Sequence, residues 1–173
     1  MKKTVLLFGL LSAAVATTMM FLTVPLMKAW GHQKTDLLGY TAMVLSALLV
    51  FFGIRHFRER AGEGGLGFGK ALLVGLAITL VSSLCQVAMF QLVYFQLVPE
   101  FGDRFAACMV DRARDAGATP EKIAETEHTA LDLKRLYDNP WTNAALTFVE
   151  PLPLGLVAST LSAALLRRRV GAG

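Results

Sequence analysis

The chain has 173 residues, an ordinary length for one domain, but 54% of them are hydrophobic and only 17% are charged, a balance foreign to soluble globular proteins. The mean hydropathy is positive, which points to a membrane protein. A net charge of +4 invites a nucleic-acid reading, but the charges, sorted by segment, form an orientation signal instead.

Apolar residues fall in four blocks, Thr4 to Met27, Leu37 to Ile54, Ala71 to Val98 and about Ala144 to Leu166. Each is about 18 residues or longer, enough at 1.5 Å per residue to cross a hydrocarbon core about 30 Å thick. The pattern predicts an all-α fold: an integral membrane four-helix bundle, one membrane domain over 1–173, with an extramembrane helical hairpin at about 99–140 between the third and fourth spans.

The first block opens MKKTVLLFGLLSAAVATT, whose cationic start, apolar run and Ala14-Val15-Ala16 have the make-up of a secretory signal peptide. Its apolar character continues to Met27, too long for an ordinary signal core, so an uncleaved first span is expected. The intact mass of the mature protein separates the two readings. After the second block, RERAGEGGLGFGK (Arg58 to Lys70) is rich in glycine. It lacks the order of a Walker loop or a strand-to-helix phosphate fingerprint and reads as a flexible turn.

The third block carries Cys85, and Cys108 follows it in the next segment. Along a continuous helix they would be about 35 Å apart, and a disulfide needs Cα atoms within about 7 Å, so two free thiols are expected. In FGDRFAACMVDRARDA, Phe101, Phe105, Cys108 and Met109 share one face, as in an amphipathic helix. Gly117 ends that helix. Thr119 caps the next one, with Pro120 at its first position and Glu121 in its first turn, and Ile123, Ala130, Leu133 and Tyr137 form a thin apolar stripe. Asn139-Pro140 stops it, because the residue before proline is biased away from helical geometry.

The nine cations Lys2, Lys3, Arg55, Arg58, Arg60, Lys70, Arg167, Arg168 and Arg169 face only Glu59 and Glu63 within their own segments, whereas residues 99–140 hold nine acids and six bases. The short first connection has Lys28 and Lys34 against Asp36. Cationic segments stay in the cytoplasm, so both termini and the 55–70 loop are expected inside and the hairpin outside. Small residues recur every four positions at Gly9, Ala13, Thr17, at Gly75, Thr79, Ser83, and at Gly155, Ser159, Ala163, the usual material of close helix interfaces. Whether these interfaces lie within one chain or between copies stays open at this point.

The last block contains FVEPLPLGLV, in which Glu150 precedes Pro151 and Pro153. Counting helical rise from the nearest cations places Glu150 and Gln86 about 24–26 Å from the inner boundary, level with Tyr40. Glu150, Gln86, Gln91 and Tyr40 thus form a candidate polar layer in the outer part of the bilayer. The prolines withdraw two backbone donors, a kink that the Gln86 and Gln91 amides are suited to satisfy, and Glu150 can cap a helix restarting at Pro151. A carboxylate this near the interface can reach water, so kink and cap is the main reading, with an ion, proton or substrate site as the rival. His32, His56 and His128 are scattered, and no paired intramembrane acids or nucleophile motif occurs, so neither an enzyme nor a bound metal or cofactor is expected.

The segments GYTAMVLSALLVFFGIRHFRER, LGFGKALLVGL and YDNPWTNAALTFVEPLPLGLVASTLSAALLRRR, in that order, resemble the bacterial family known as domain of unknown function 4199. The resemblance covers nearly the whole chain and implies a multi-pass inner-membrane protein, with no activity, substrate or cofactor attached. The leading expectation is an interaction or envelope-support protein, embedded in the lipid bilayer, that meets a periplasmic partner through the 99–140 hairpin. A small transporter or channel component, oligomeric and built around Glu150, is the alternative.

Overall fold

The structure, a computed structural model, describes residues 1–60 and 66–166, and of residues 23–39 the backbone only. The side chains of Lys28, His32, Lys34 and Asp36, the turn at 61–65 and Arg167, Arg168 and Arg169 therefore lie outside the described residues. The elements are α1 (Lys2–Arg60), α2 (Phe68–Leu92) running into a π-helical turn (Val93–Leu97), α3 (Phe101–Asp115), α4 (Pro120–Asp138), α5 (Pro140–Val149) and α6 (Pro151–Leu166). Every element among the described residues is helical. Four segments are long and apolar enough to cross a membrane: Lys2–Leu22, Tyr40–Arg60, Phe68–Leu97 and Pro140–Leu166.

Helical backbone runs unbroken from Lys2 to Arg60, yet the rings of Phe8 and His56 lie 5.7 Å apart. A straight helix would hold them about 72 Å apart, so the two ends of α1 lie side by side.

The chain divides into two compact units, Met1–Gln86 with Phe148–Gly173, and Val87–Thr147. In the first unit, Val5, Val50, Ile54, Ala71, Val74, Ile78, Ala158, Ala163 and Leu166 form one buried core. Its helices approach through the small-residue stripes. A methyl on Gly75 would lie 2.5 Å from Ser159 Oγ, and one on Gly155 would collide with Thr79. The pairings 75 with 159 and 79 with 155 are those of antiparallel neighbours. A methyl on Gly9 would lie 2.7 Å from Val81 Cγ1, and Ser82 donates to Ser12 Oγ at 3.2 Å, which sets the first part of α1 parallel to α2. All three stripes are thus used inside one chain, in line with the preference of membrane helices for small residues at their contacts.

The core-facing side of this unit is small and the outward side is large. Leu7, Leu10, Leu73, Leu84, Leu161 and Leu165 are all more than half exposed, the inverse of a water-soluble bundle and the arrangement that lipid tails require. At one end Arg58 Nη1 donates to the Leu166 carbonyl at 3.2 Å. That hydrogen bond ties the second half of α1 to α6.

In the second unit α3 and α4 pack as a hairpin. Gly117, at φ 71°, ends α3 in the left-handed region, and the Thr119 hydroxyl accepts the Lys122 amide at 3.4 Å to start α4. The buried face of α3 is Gly102, Ala106 and Val110, one residue round from the expected Phe101, Phe105, Cys108 and Met109. Close approach to a neighbouring helix selects the smallest residues, and Phe105 is left 38% exposed, stacked on Phe101. On α4, Ala130 is buried and Ile123, Leu133 and Tyr137 are half-buried, the expected stripe.

Candidate functional site at the base of the hairpin

The most elaborate polar arrangement among the described residues lies in the second unit. It begins with the π-helical turn, closed by the Val98 amide on the Val93 carbonyl at 2.8 Å. Such a turn inserts one residue into the helical register, and π turns recur at functional positions. Tyr94, inside this turn, is buried at 4% exposure and its hydroxyl donates to Asp138 Oδ1 at 2.7 Å. The ring lies among Phe90, Phe95, Phe101 and Tyr137, with centroids between 5.0 and 6.3 Å away.

Gly102 makes room for this side chain. A methyl there would lie 2.5 Å from the Tyr94 hydroxyl oxygen and 3.2 Å from Lys134 Cγ. Lys134 Nζ sits 2.9 Å from Asp138 Oδ2 and 3.6 Å from Asp103 Oδ1. One cation thus joins an acid of α3 to the carboxylate at the end of α4. Burial pushes the Asp138 carboxyl up, but the hydrogen bonds from Lys134 and Tyr94 outweigh it and hold the carboxyl below its usual value. The bond to Asp138 in turn raises Lys134 above its usual value, despite the opposing effect of burial.

The turn that follows carries a run of side-chain to backbone hydrogen bonds, while Asn143 Oδ1 is buried without a partner. Asn139 Oδ1 accepts the amides of Trp141 at 3.0 Å and Thr142 at 3.3 Å, which caps α5 behind Pro140 at its first position. Gln91 donates from Nε2 to the Pro140 carbonyl at 2.7 Å. Fully buried Asn143 donates from Nδ2 to the Tyr137 carbonyl at 2.9 Å, which closes an orphan acceptor at the end of α4. Trp141 is 85% exposed at the start of the fourth apolar segment.

Of the expected polar layer, Tyr40, Gln86 and Glu150 fall in the first unit. Gln91 belongs to this second unit and serves Pro140, not the carbonyls near the proline pair. Tyr40 is 67% exposed, Gln86 is half-buried and Glu150 is exposed. Among the described residues no hydrogen bond or ion pair joins Glu150, Gln86 and Tyr40. Glu150 is the single turn residue between α5 and α6. Pro151 and Pro153 occupy the first and third positions of α6, where backbone amides have no intrahelical acceptor and their loss costs little.

Sequence reasoning used Asn139-Pro140 only as a helix stop and passed over Tyr94, Gly102, Lys134, Asp138 and Asn143. A signal was available in YDNPWTN, six of whose seven residues carry polar side-chain or capping chemistry. Neither Cys85 nor Cys108 is in a disulfide. His128 pairs with Asp132 at 3.0 Å on the exposed face of α4. Among the described residues no group of three or more His, Cys, Asp or Glu side chains is placed to hold a metal ion.

A family model described as protein of unknown function (DUF4199) matches residues 5–168. No curated protein and no solved structure matches the chain.

Proposed function

For a chain that belongs to the DUF4199 family, we propose a non-enzymatic role read from its own geometry. It is a multi-pass protein of the bacterial inner membrane that presents the α3–α4 hairpin, held rigidly at its base, as a platform for a periplasmic protein. The observation that carries this reading is the Tyr94–Asp138 hydrogen bond with Lys134 and the surrounding aromatic rings. A connection that only joined two spans would need no buried aromatic clamp, whereas a docking surface gains affinity from being held in place beforehand.

The orientation rests on the charges. In the first unit the core residues Val5, Ile54, Ala71 and Leu166 gather the segments that carry Lys2, Lys3, Arg55, Arg58, Arg60 and Lys70 at one end, and a cationic end belongs in the cytoplasm. With an even number of spans, both termini are cytoplasmic and the hairpin is periplasmic.

The test is photocrosslinking in living cells from Leu131 and Arg135 on the exposed face of α4. A discrete adduct is expected in the wild type, weakened in Tyr94→Phe. A pH-dependent flux in liposomes that Glu150→Gln abolishes, with no such adduct, would replace the platform with the transporter reading.

A further inference from the structure

At the corner between α4 and α5, Asn143 uses one end of its amide and not the other. Its Nδ2 donates to the Tyr137 carbonyl at 2.9 Å, while Oδ1 is buried without a partner in a side chain of 0% exposure. An amide oxygen accepts hydrogen bonds and cannot donate them, so a donor must come to it, and a buried acceptor left unmet is costly.

The amide cannot turn over to solve this. The Tyr137 carbonyl would ordinarily accept the amide four residues on, that of Trp141, but the Trp141 amide donates to Asn139 Oδ1 at 3.0 Å. Asn143 Nδ2 takes its place, and reversing the side chain would leave two carbonyl oxygens facing each other. The backbone at Asn143 is fixed as well, by its own amide on the Asn139 carbonyl at 2.9 Å and by Gln91 on the Pro140 carbonyl.

One turn further along α5, Thr147 is 8% exposed, and its hydroxyl bonds to no other group among the described residues. Residues four apart share a helix face, with Cβ atoms about 5–6 Å apart. Both polar groups therefore stand side by side within the second unit.

We infer that this corner binds one internal water molecule, which donates to Asn143 Oδ1 and accepts from the Thr147 hydroxyl. The geometry selects the ligand. Two hydrogen bonds of about 2.8 Å meeting at a tetrahedral angle span about 4.6 Å, the reach needed between side chains one turn apart. α5 has no charged residue, so a cation buried there would lack a counter-charge, whereas water is neutral and both donates and accepts. Its second hydrogen goes to the spare lone pair of a helix carbonyl. Asn143 then joins the last turn of α4 to α5 through both ends of its amide, whatever the hairpin binds.

The test is a crystal structure of the full-length protein at a resolution that shows ordered water, with melting of variants in detergent. Water density should lie about 2.7–3.2 Å from both Asn143 Oδ1 and Thr147 Oγ1. Thr147→Val keeps the shape and removes the hydroxyl, so it should lower the melting temperature by about 2–4 °C, and Thr147→Ser should restore most of the loss. In an Asn143→Leu background Thr147→Val should have no further effect; if that background does not fold, the density in the wild type decides. Ordered Asn143 and Thr147 side chains with no water touching both, a direct hydrogen bond between the two, or a Thr147→Val protein that melts with the wild type would overturn the inference.

Discussion

The Tyr94 hydroxyl and the Asp138 carboxylate are 44 positions apart in the chain and 2.7 Å apart in space. The bond has a charged acceptor and a buried donor, and such bonds contribute about 1.5–3 kcal/mol. Tyr94→Phe keeps the ring packing and removes only this bond, so it should destabilise the hairpin by about 1–2 kcal/mol. Amide hydrogen exchange in detergent should quicken in α3 and α4 and stay unchanged in Lys2–Leu22. Gly102→Leu attacks the same junction sterically, because even its first carbon meets the Tyr94 oxygen at 2.5 Å. Its effect should be at least as large, and little should be added when Tyr94→Phe is combined with it, since neighbouring sites couple. The titration of the cluster has a definite sign. Asp138 is held below its usual value, so its contribution is present above an unfolded pKa of about 3.9 and is lost as pH falls through the folded value. Lys134 is raised, so its contribution is present below about 10.4 and is lost as pH rises through its folded value. Exchange protection of the hairpin, corrected for intrinsic rates, should therefore be greatest between those limits, and Asp138→Asn should abolish the acid-side loss.

Helices α2 and α6 meet where neither has a side chain of any size. Gly75 faces Ser159 and Gly155 faces Thr79, so backbones approach closely and dispersion accumulates along the seam. Gly155→Val should cost about 1–3 kcal/mol by overpacking, seen as a lower melting temperature in detergent. Gly69→Ala, with open space around it, should leave that temperature nearly unchanged. The stripes themselves were legible, because small residues every four positions show in any apolar helix. Their partners were not, because a stripe states that something comes close without saying what. On α3 hydrophobicity marked Phe101, Phe105, Cys108 and Met109, of which Phe101, Cys108 and Met109 are half-buried, while close approach chose Gly102 and Ala106 for the innermost positions. The hairpin's ends were readable to the residue, since Gly117, Thr119 and Asn139-Pro140 act locally and need no tertiary information.

For the whole molecule, counting helical rise placed Glu150, Gln86 and Tyr40 at comparable heights, and height alone does not fix which side of a helix a residue occupies or which unit it joins. Gln91 went to the hairpin base, and Tyr40 and Glu150 are exposed. The four apolar segments were evident from composition because lipid leaves a chain few options: every peptide group must find its partner internally, and helices of spanning length do so. The distribution of charge around those helices carries the account of orientation, on which a periplasmic hairpin depends. It is tested most directly by labelling with a membrane-impermeant maleimide in spheroplasts, in a Cys85→Ser/Cys108→Ser background bearing either Thr129→Cys on α4 or Gly67→Cys before α2. Thr129→Cys should label in intact spheroplasts and Gly67→Cys only after permeabilisation. The reverse pattern, or labelling of both sites without permeabilisation, would contradict it.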